Sequence, residues 1–399
     1  HDGPCLFNED GVEIKYEAFA KNIEMIGVQL SSIDLKNNKI CALVLPNGMD
    51  MAMSFLALAN FVTVSPLNPS YTKEEFLFFL QDLDCEFIIA DKNASNALLE
   101  AAEQLGIRLF YLNSDAPKNG LSIKSLPTSS ACLLDQNKDE DFCLILHTSG
   151  TTSRPKQVQL SCTNVISSAL NIAQVLKLKK ADKGLNIMPL FHIHGLIASL
   201  LSSVVTGSSL VCTSGFNALS FYANINTFKP TWITAVPTMY QAILSRASRN
   251  KEIIKAANLR LLRSSSAAMP VATIESLEHV FQCPVIEAYG MTEASHQMAS
   301  NFLDSIRKPG SVGKPAGPEI ELFKNNKILT IKNTVSSLIC PTVFTLKSAA
   351  TRMACPWCSC MVGRGPVVSP FTAVFSIRKN TASSCLTNGA VAARRPTPV

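Results

Sequence analysis

The sequence predicts an α/β protein of mainly parallel sheets covered by helices. From Ile40 to about Ala288, short apolar runs alternate with amphipathic stretches, the pattern of parallel strands linked through helices. The chain has 399 residues, 47% hydrophobic and 17% charged, enough for a large core and unlike a disordered chain. A Ser/Thr-rich loop leaves the end of one apolar run, where α/β sheets present their ligands.

The elements follow in order. A strand over 40–45 leads to a helix over 49–60, and a helix over 73–83 precedes a strand over 86–90. A helix over 94–105 and a strand over 108–112 come next. Residues 113–141 are polar, with Pro and Gly, and read as an exposed connection. Strands are then expected over 142–146, 209–212, 231–235 and 285–288, and helices over 163–176, 238–246 and 271–281. The longest apolar stretches, 51–64 and 196–211, are broken by Ser, Asn, Thr or Gly and are too short for a convincing bilayer span. Both read as buried core. No basic-then-apolar leader precedes them, and no transmembrane segment is expected. After about Glu321 the rhythm stops.

Net charge is +6, but its location removes its meaning. Residues 333–399 carry seven Lys/Arg (Lys347, Arg352, Arg364, Arg378, Lys379, Arg394, Arg395) and no Asp or Glu, leaving 29 basic against 30 acidic residues before them. Cations spaced this widely do not make a nucleic-acid surface, so no nucleic-acid partner is expected. Of 13 cysteines, five lie in this tail and eight are scattered singly, as for reduced buried thiols. Cys355-Pro-Trp-Cys358-Ser-Cys360 is half of a zinc motif and lacks a second half at matching spacing. Residues 1–322 therefore read as one folded unit. Residues 323–399 read as a basic tail, disordered or produced by a truncated, intron-retaining or frame-shifted gene model. His1 in place of Met points the same way.

Chemistry concentrates first in Thr148-Ser149-Gly150-Thr151-Thr152-Ser153-Arg154-Pro155-Lys156. Glycine lets the backbone N–H groups converge, the hydroxyls add donors, and Lys156 supplies a compact positive charge. This is a phosphate cradle by composition; a Ser/Thr-rich surface turn is equally open from these residues alone. It is no Walker A loop, because the only Gly-Lys pair, Gly313-Lys314, is followed by Pro315. Four further segments matter. Pro189–Leu196 sets His192 and His194 two residues apart beside a turn, and a surface or helix-capping pair is the simpler reading of these alone. Thr234–Thr238 joins a strand to a helix that starts at proline. Arg263-Ser264-Ser265-Ser266-Ala267-Ala268-Met269-Pro270 is a turn small enough for a flat ring to approach. Glu287–His296 delivers Tyr289, able to stack on a base, then Thr292 for a phosphoryl oxygen and Glu293 for a hard cation.

In this order, TSGTTSRPK, PLFHIHGL, AVPT, the small-residue turn and AYGMTE resemble the acyl-adenylate-forming superfamily. Acyl-CoA synthetases, 4-coumarate–CoA ligases, luciferases and peptide-synthetase adenylation domains belong to it. Within it, TSGTTSRPK, HIHGL and TEASHQMASN look most like the oxalate–CoA ligases. The resemblance runs through about residues 1–320. It implies two helix-flanked, mainly parallel sheets plus a small β-barrel, and ATP-dependent activation of a carboxylate followed by transfer to coenzyme A.

By the same resemblance Thr148, Ser149, Gly150, Thr151, Thr152 and Lys156 cradle phosphates, and Ala267, Ala268, Tyr289 and Gly290 surround adenine. Thr292 bonds the α-phosphate. Glu293 binds Mg²⁺, with Thr152 beside it, and His192 sits near the reacting carboxylate. His192, Ser264, Ser266 and His296 are expected at the acid pocket, where hydroxyl and imidazole donors would suit a small dicarboxylate, oxalate first. A 4-coumarate or fatty acyl substrate, and a non-catalytic nucleotide-binding isoform, are the alternatives.

Ser153 and Gln157 stand where many members have glycine. The family's Thr-Gly-Asp, hinge and small C-terminal domain are expected to be absent, with slow adenylation as the consequence. The expected location is cytoplasmic, or peroxisomal if the true C-terminus carries a signal, since Thr397-Pro398-Val399 is none.

Overall fold

A computed structural model describes residues 3–35, 39–115, 120–128, 134–148, 154–324, 327–329, 344–346 and 372–375. In chain order they form β1 (Pro4–Phe7), β2 (Glu13–Lys15), α1 (Tyr16–Leu30), β3 (Ile40–Val44), α2 (Met49–Leu58), β4 (Thr63–Pro66), α3 (Lys73–Asp82) and β5 (Phe87–Ala90). Next come α4 (Asn96–Leu105), β6 (Arg108–Asp115), β7 (Gly120–Ile123), β8 (Phe142–Thr148), β9 (Lys156–Ser161), α5 (Cys162–Leu176) and β10 (Lys183–Asn186). A π-helix (His194–Leu201) runs into α6 (Ser202–Val204), followed by β11 (Ser209–Cys212), α7 (Phe221–Phe228), β12 (Trp232–Ala235), α8 (Pro237–Leu244) and α9 (Lys251–Lys255). β13 (Leu261–Ser264), α10 (Val271–Phe281), β14 (Val285–Met291), β15 (His296–Ser300) and β16 (Lys314–Pro315) complete the body. β17 (Ile320–Lys324), β18 (Lys327–Leu329), β19 (Phe344–Leu346) and β20 (Thr372–Phe375) follow.

Two sheets dominate, with strand orders β7-β6-β5-β3-β4-β8-β9 and β16-β15-β14-β13-β12-β10-β11-β1-β2. The interior pairings of both are parallel, as expected. The antiparallel pairs lie at the edges: β6–β7 and β8–β9 in one sheet, β1–β2, β14–β15 and β15–β16 in the other. The remaining strands make a sheet of order β18-β17-β20-β19 where the resemblance implies a small barrel. β18, β19 and β20 fall in the stretch expected as tail. No described helix is long and apolar enough to cross a membrane.

Strand periodicity sorts side chains into separate layers. On β3, Cys41 and Leu43 join a central core while Ala42 and Val44 join an outer one with α3 and α4. On the second sheet, Leu210 and Cys212 face the central core, and Val211 packs outward with α7, α8 and α10. α1, α2, α5 and the π-helix fill the space between. α2 is buried at every position but Asp50, the signature of a helix enclosed on all sides. Both long apolar stretches thus lie in the middle of the molecule.

Local chemistry sets the helix ends. Thr72 and Glu75 form a reciprocal capping box at α3, and Gly106 closes α4 in the left-handed region. The stretch 113–141 departs from its expected role as an exposed connection. Its strand β7 buries Leu121 and Ile123 against α1, where Asn22 Nδ2 donates to the Leu121 carbonyl at 2.6 Å and Gln29 Nε2 to the Ile123 carbonyl at 3.0 Å. Apolar residues at alternate positions carry that strand despite its polar composition.

Asp182 anchors the second sheet. Its carboxylate accepts from Arg260 Nε at 3.1 Å and Nη2 at 2.9 Å, and from Thr231 Oγ1 at 2.8 Å. Asp182→Ala leaves Arg260 without its partner in a largely enclosed site and should cost about 3 kcal/mol in urea unfolding. A loss below about 1 kcal/mol would show the pair to be incidental.

Candidate active site

The loop that carries the hydroxyls is a hairpin between β8 and β9, with Thr148 directly opposite Lys156. Ser149, Gly150, Thr151 and Thr152 lie outside the described residues, as does Ser153. The base of the hairpin is tied down. His147 Nε2 lies 3.0 Å from Asp82 Oδ2 at the end of α3, and Gln157 Nε2 donates to the same oxygen at 2.9 Å and to the Asp82 carbonyl. The His147 ring packs edge-on against Phe79, with centroids 4.7 Å apart. Burial lowers the His147 pKa, with Asp82 working against it. Gln157 therefore acts as a strut between the hairpin and α3.

The second wall comes from the other sheet. Thr148 Oγ1 donates to Glu293 Oε1 at 3.5 Å, joining residues that are far apart in the chain. β14 ends at Tyr289, Gly290 and Met291, and Thr292 and Glu293 turn immediately after it. Tyr289 is half-buried against Met298. A Cβ on Gly290 would run into the carbonyl of His296 and lie 2.5 Å from its Nδ1, so glycine is required here by packing alone. Ala267 and Ala268 are exposed beside Ser266, whose φ of 72° is a strained left-handed conformation for a side-chain-bearing residue.

Between these walls lies a cavity of about 260 Å³, lined by His147, His192, His194, Ser266 and Thr292 on its polar side. Leu146, Met188, Phe191, Ile193 and Val236 complete it. His192 stands exposed, with surrounding protein still lowering its pKa. His194 does not pair with it on a surface. It opens the π-helix fully buried, and Gly195 permits this because a Cβ there would meet the Pro189 carbonyl. π-helical geometry is frequent at functional sites.

Two expected pocket residues stand elsewhere. Ser264 is buried in β13 and His296 in β15, neither lining the cavity. The pleat turns Ser264 into the sheet, and the turn at Ser295 and His296, both with positive φ, folds the imidazole inward. There it packs edge-on against His194 with centroids 4.9 Å apart. Both its ring nitrogens lack a partner among the described residues. Burial pushes His194 and His296 well below the usual histidine range, and nearby Arg263 adds to this. Thr234 and Arg263, to which no role had been assigned, complete this buried cluster. The signal for Arg263 is a charge that directly follows the apolar pair Leu261-Leu262 on a strand.

The two α/β halves meet where the β8–β9 hairpin stands against the Tyr-Gly-Met-Thr-Glu strand end. The chain belongs to the AMP-binding enzyme family, whose model matches residues 1–328. It is 40% identical over 304 residues to an oxalate–CoA ligase of Arabidopsis thaliana, covering 74% of this chain and 59% of that protein. It is 36% identical over 311 residues to an oxalate–CoA ligase of Saccharomyces cerevisiae, covering 71% of this chain and 56% of that one. The chain thus spans less than two thirds of the length of these relatives. Its fold matches the ATP-bound MatB of Rhodopseudomonas palustris with a TM-score of 0.71 at 24% identity, over 82% of this chain and 65% of that one.

Two tests follow from the packing. Gly290→Ala should force the β14–β15 turn apart and lower stability by about 2 kcal/mol or more in chemical unfolding; an unchanged midpoint refutes the steric account. Glu287, beside this turn, is pushed up to about 7 by burial, although the Gly310 N–H donates to its Oε2 at 2.9 Å. A raised carboxyl adds stability below its ordinary value of 4.5 and loses it as pH rises through about 7. Glu287→Gln keeps an acceptor for that N–H, so its Tm should gain on the unsubstituted chain between about pH 5 and pH 8. A pH-independent difference means Glu287 does not titrate there.

Proposed function

We propose that this chain supplies the nucleotide and acid sites of an AMP-forming acid–thiol ligase, with a small dicarboxylate, oxalate first, as the acid. One observation carries the choice of acid: the cavity is small and its polar side chains, His192, His194, Ser266 and Thr292, converge on one region. Hydroxyl and imidazole groups suit a second carboxylate, which would be costly to bury unpaired. The named activity of the two oxalate–CoA ligases supports the same reading.

In the reaction, a carboxylate oxygen bonds to the α-phosphorus of ATP and the bond to pyrophosphate breaks, leaving an acyl-adenylate. The thiol of coenzyme A then forms the thioester and AMP leaves. Positioning and charge neutralisation are what the protein must provide. The hairpin ending at Lys156 faces the phosphates, Tyr289 and Ala267-Ala268 flank the adenine, and Thr292 donates to the α-phosphate. His192 lies at the acid. The residues fit Mg²⁺: Glu293 is a single carboxylate beside the Thr148 hydroxyl, and no group of three or more His, Cys, Asp or Glu forms a cation cage among the described residues. Mg²⁺ characteristically takes one or two carboxylates and completes its shell with water and phosphate. When bound it would neutralise charge on the phosphates.

Calorimetric titration of this chain tests the reading. Mg-ATP should bind, oxalate should bind more tightly in its presence, and p-coumarate and palmitate should not. Preference for either of the latter overturns the choice of acid. Glu293→Gln should weaken the Mg²⁺-dependent part of ATP binding by about tenfold; an unaltered Mg²⁺ dependence removes Glu293 from that role.

A further inference from the structure

Arg263 is fully buried at the floor of β13, and no carboxylate pairs with it among the described residues. An isolated buried cation is expensive, so its hydrogen bonds must hold it in place. Nη2 donates to Gln297 Oε1 at 3.3 Å. Nη1 donates to Thr234 Oγ1 at 3.2 Å and stands 3.5 Å from His194 Nε2. Thr234 Oγ1 in turn lies 2.6 Å from that same Nε2.

A guanidinium has only donors to give. Were His194 to carry its proton on Nε2, that N–H would face the Arg263 donor. The Thr234 oxygen would then accept twice, and its own proton would have no acceptor among the described residues. The opposite arrangement gives the Thr234 hydroxyl, both His194 ring nitrogens and Arg263 Nη1 compatible partners, while Arg263 Nε has none among the described residues in either case. Arg263 donates to Thr234, the Thr234 hydroxyl donates to Nε2, and the imidazole proton sits on Nδ1. Nδ1 is 3.0 Å from Ser266 Oγ, which therefore accepts. The Ser266 proton is then released towards the cavity that Ser266 lines. Burial keeps His194 neutral, as the relay needs.

We propose that Arg263 is a positioning residue: through Thr234 it holds His194 as the neutral Nδ1–H tautomer and so makes Ser266 an obligate hydrogen-bond donor to an acid oxygen in the cavity. The consequence for the acid rests on reading this cavity as the acid site. A carboxylate, which only accepts, suits such a donor, whereas an apolar chain leaves it unpaired. Without Arg263 the relay can run backwards: Nε2–H donates to Thr234, Ser266 donates to Nδ1, and lone pairs face the acid. Arg263 thus determines the polarity of a wall it does not itself reach.

The test reads the tautomer directly. Nitrogen NMR of the ¹⁵N-histidine-labelled chain, with the His194 signals assigned by His194→Asn, should show a protonated Nδ1 and an unprotonated Nε2 near neutral pH without ligand. A protonated Nε2, or an imidazolium, overturns the proposal, and this measurement needs no variant to fold. Arg263→Met should mix or reverse the tautomers and Arg263→Lys should restore them; an unchanged tautomer in a folded Arg263→Met chain also overturns it. Oxalate affinity should fall about tenfold in Arg263→Met while Mg-ATP affinity holds. If oxalate fails to bind the unsubstituted chain while Nδ1 is protonated, the choice of acid falls and the relay stands.

Discussion

Everything in this fold depends on one layer of helices that belongs to two sheets at once. A helix against a single sheet needs an apolar stripe; one between two sheets must be apolar nearly all round. α2 meets that demand, with Met, Ala, Phe and Leu on every side and a lone Asp50 outside. α1, α5 and the π-helix share the load, and their residues form one continuous core with the inner faces of both sheets. The constraint also fixes the site, because sheets joined rigidly through a common core present strand ends that can meet. Thr148 from one and Glu293 from the other do so.

The same rigidity makes a buried polar cluster tolerable. Thr234, Arg263 and His296 of the second sheet, with His194 of the π-helix, stand where apolar residues would pack at lower cost. Such groups are affordable when each has a defined partner and the surrounding structure holds them in place. Here most do, through Thr234, Gln297 and Ser266, while the His296 ring and Arg263 Nε have no partner among the described residues. The strained backbone at Ser266 belongs to this cluster, since that conformation brings its hydroxyl to His194.

Legibility in the sequence followed physical strength of signal. Strands and helices with full periodicity, such as 40–45, 73–83 and 271–281, stand within a residue or two of their observed bounds. β4, Thr-Val-Ser-Pro, and β10, Lys-Gly-Leu-Asn, were not, because four residues with Ser, Pro or Gly carry little pattern, although both lie inside a sheet. β9 is not among the strands expected from the sequence, yet it is the return arm of the hairpin. The ordered motifs pointed to the family because their chemistry is local. What stayed hidden was the sense of individual side chains: which serine of Ser264-Ser265-Ser266 faces the cavity depends on where β13 ends, and His296 turns inward through a positive φ that no composition announces.

One consequence of the Thr148–Glu293 contact concerns the order of assembly. The hairpin is complete once β9 has been made, but its opposing wall arrives only with β14, after β10 to β13 and their helices have been threaded into the second sheet. Contacts this distant in sequence close late, after the loop entropy between them has been overcome. During synthesis the first half can order its own sheet while the hairpin remains without its counterpart. The Thr148–Glu293 contact therefore reports on whether the chain has finished folding.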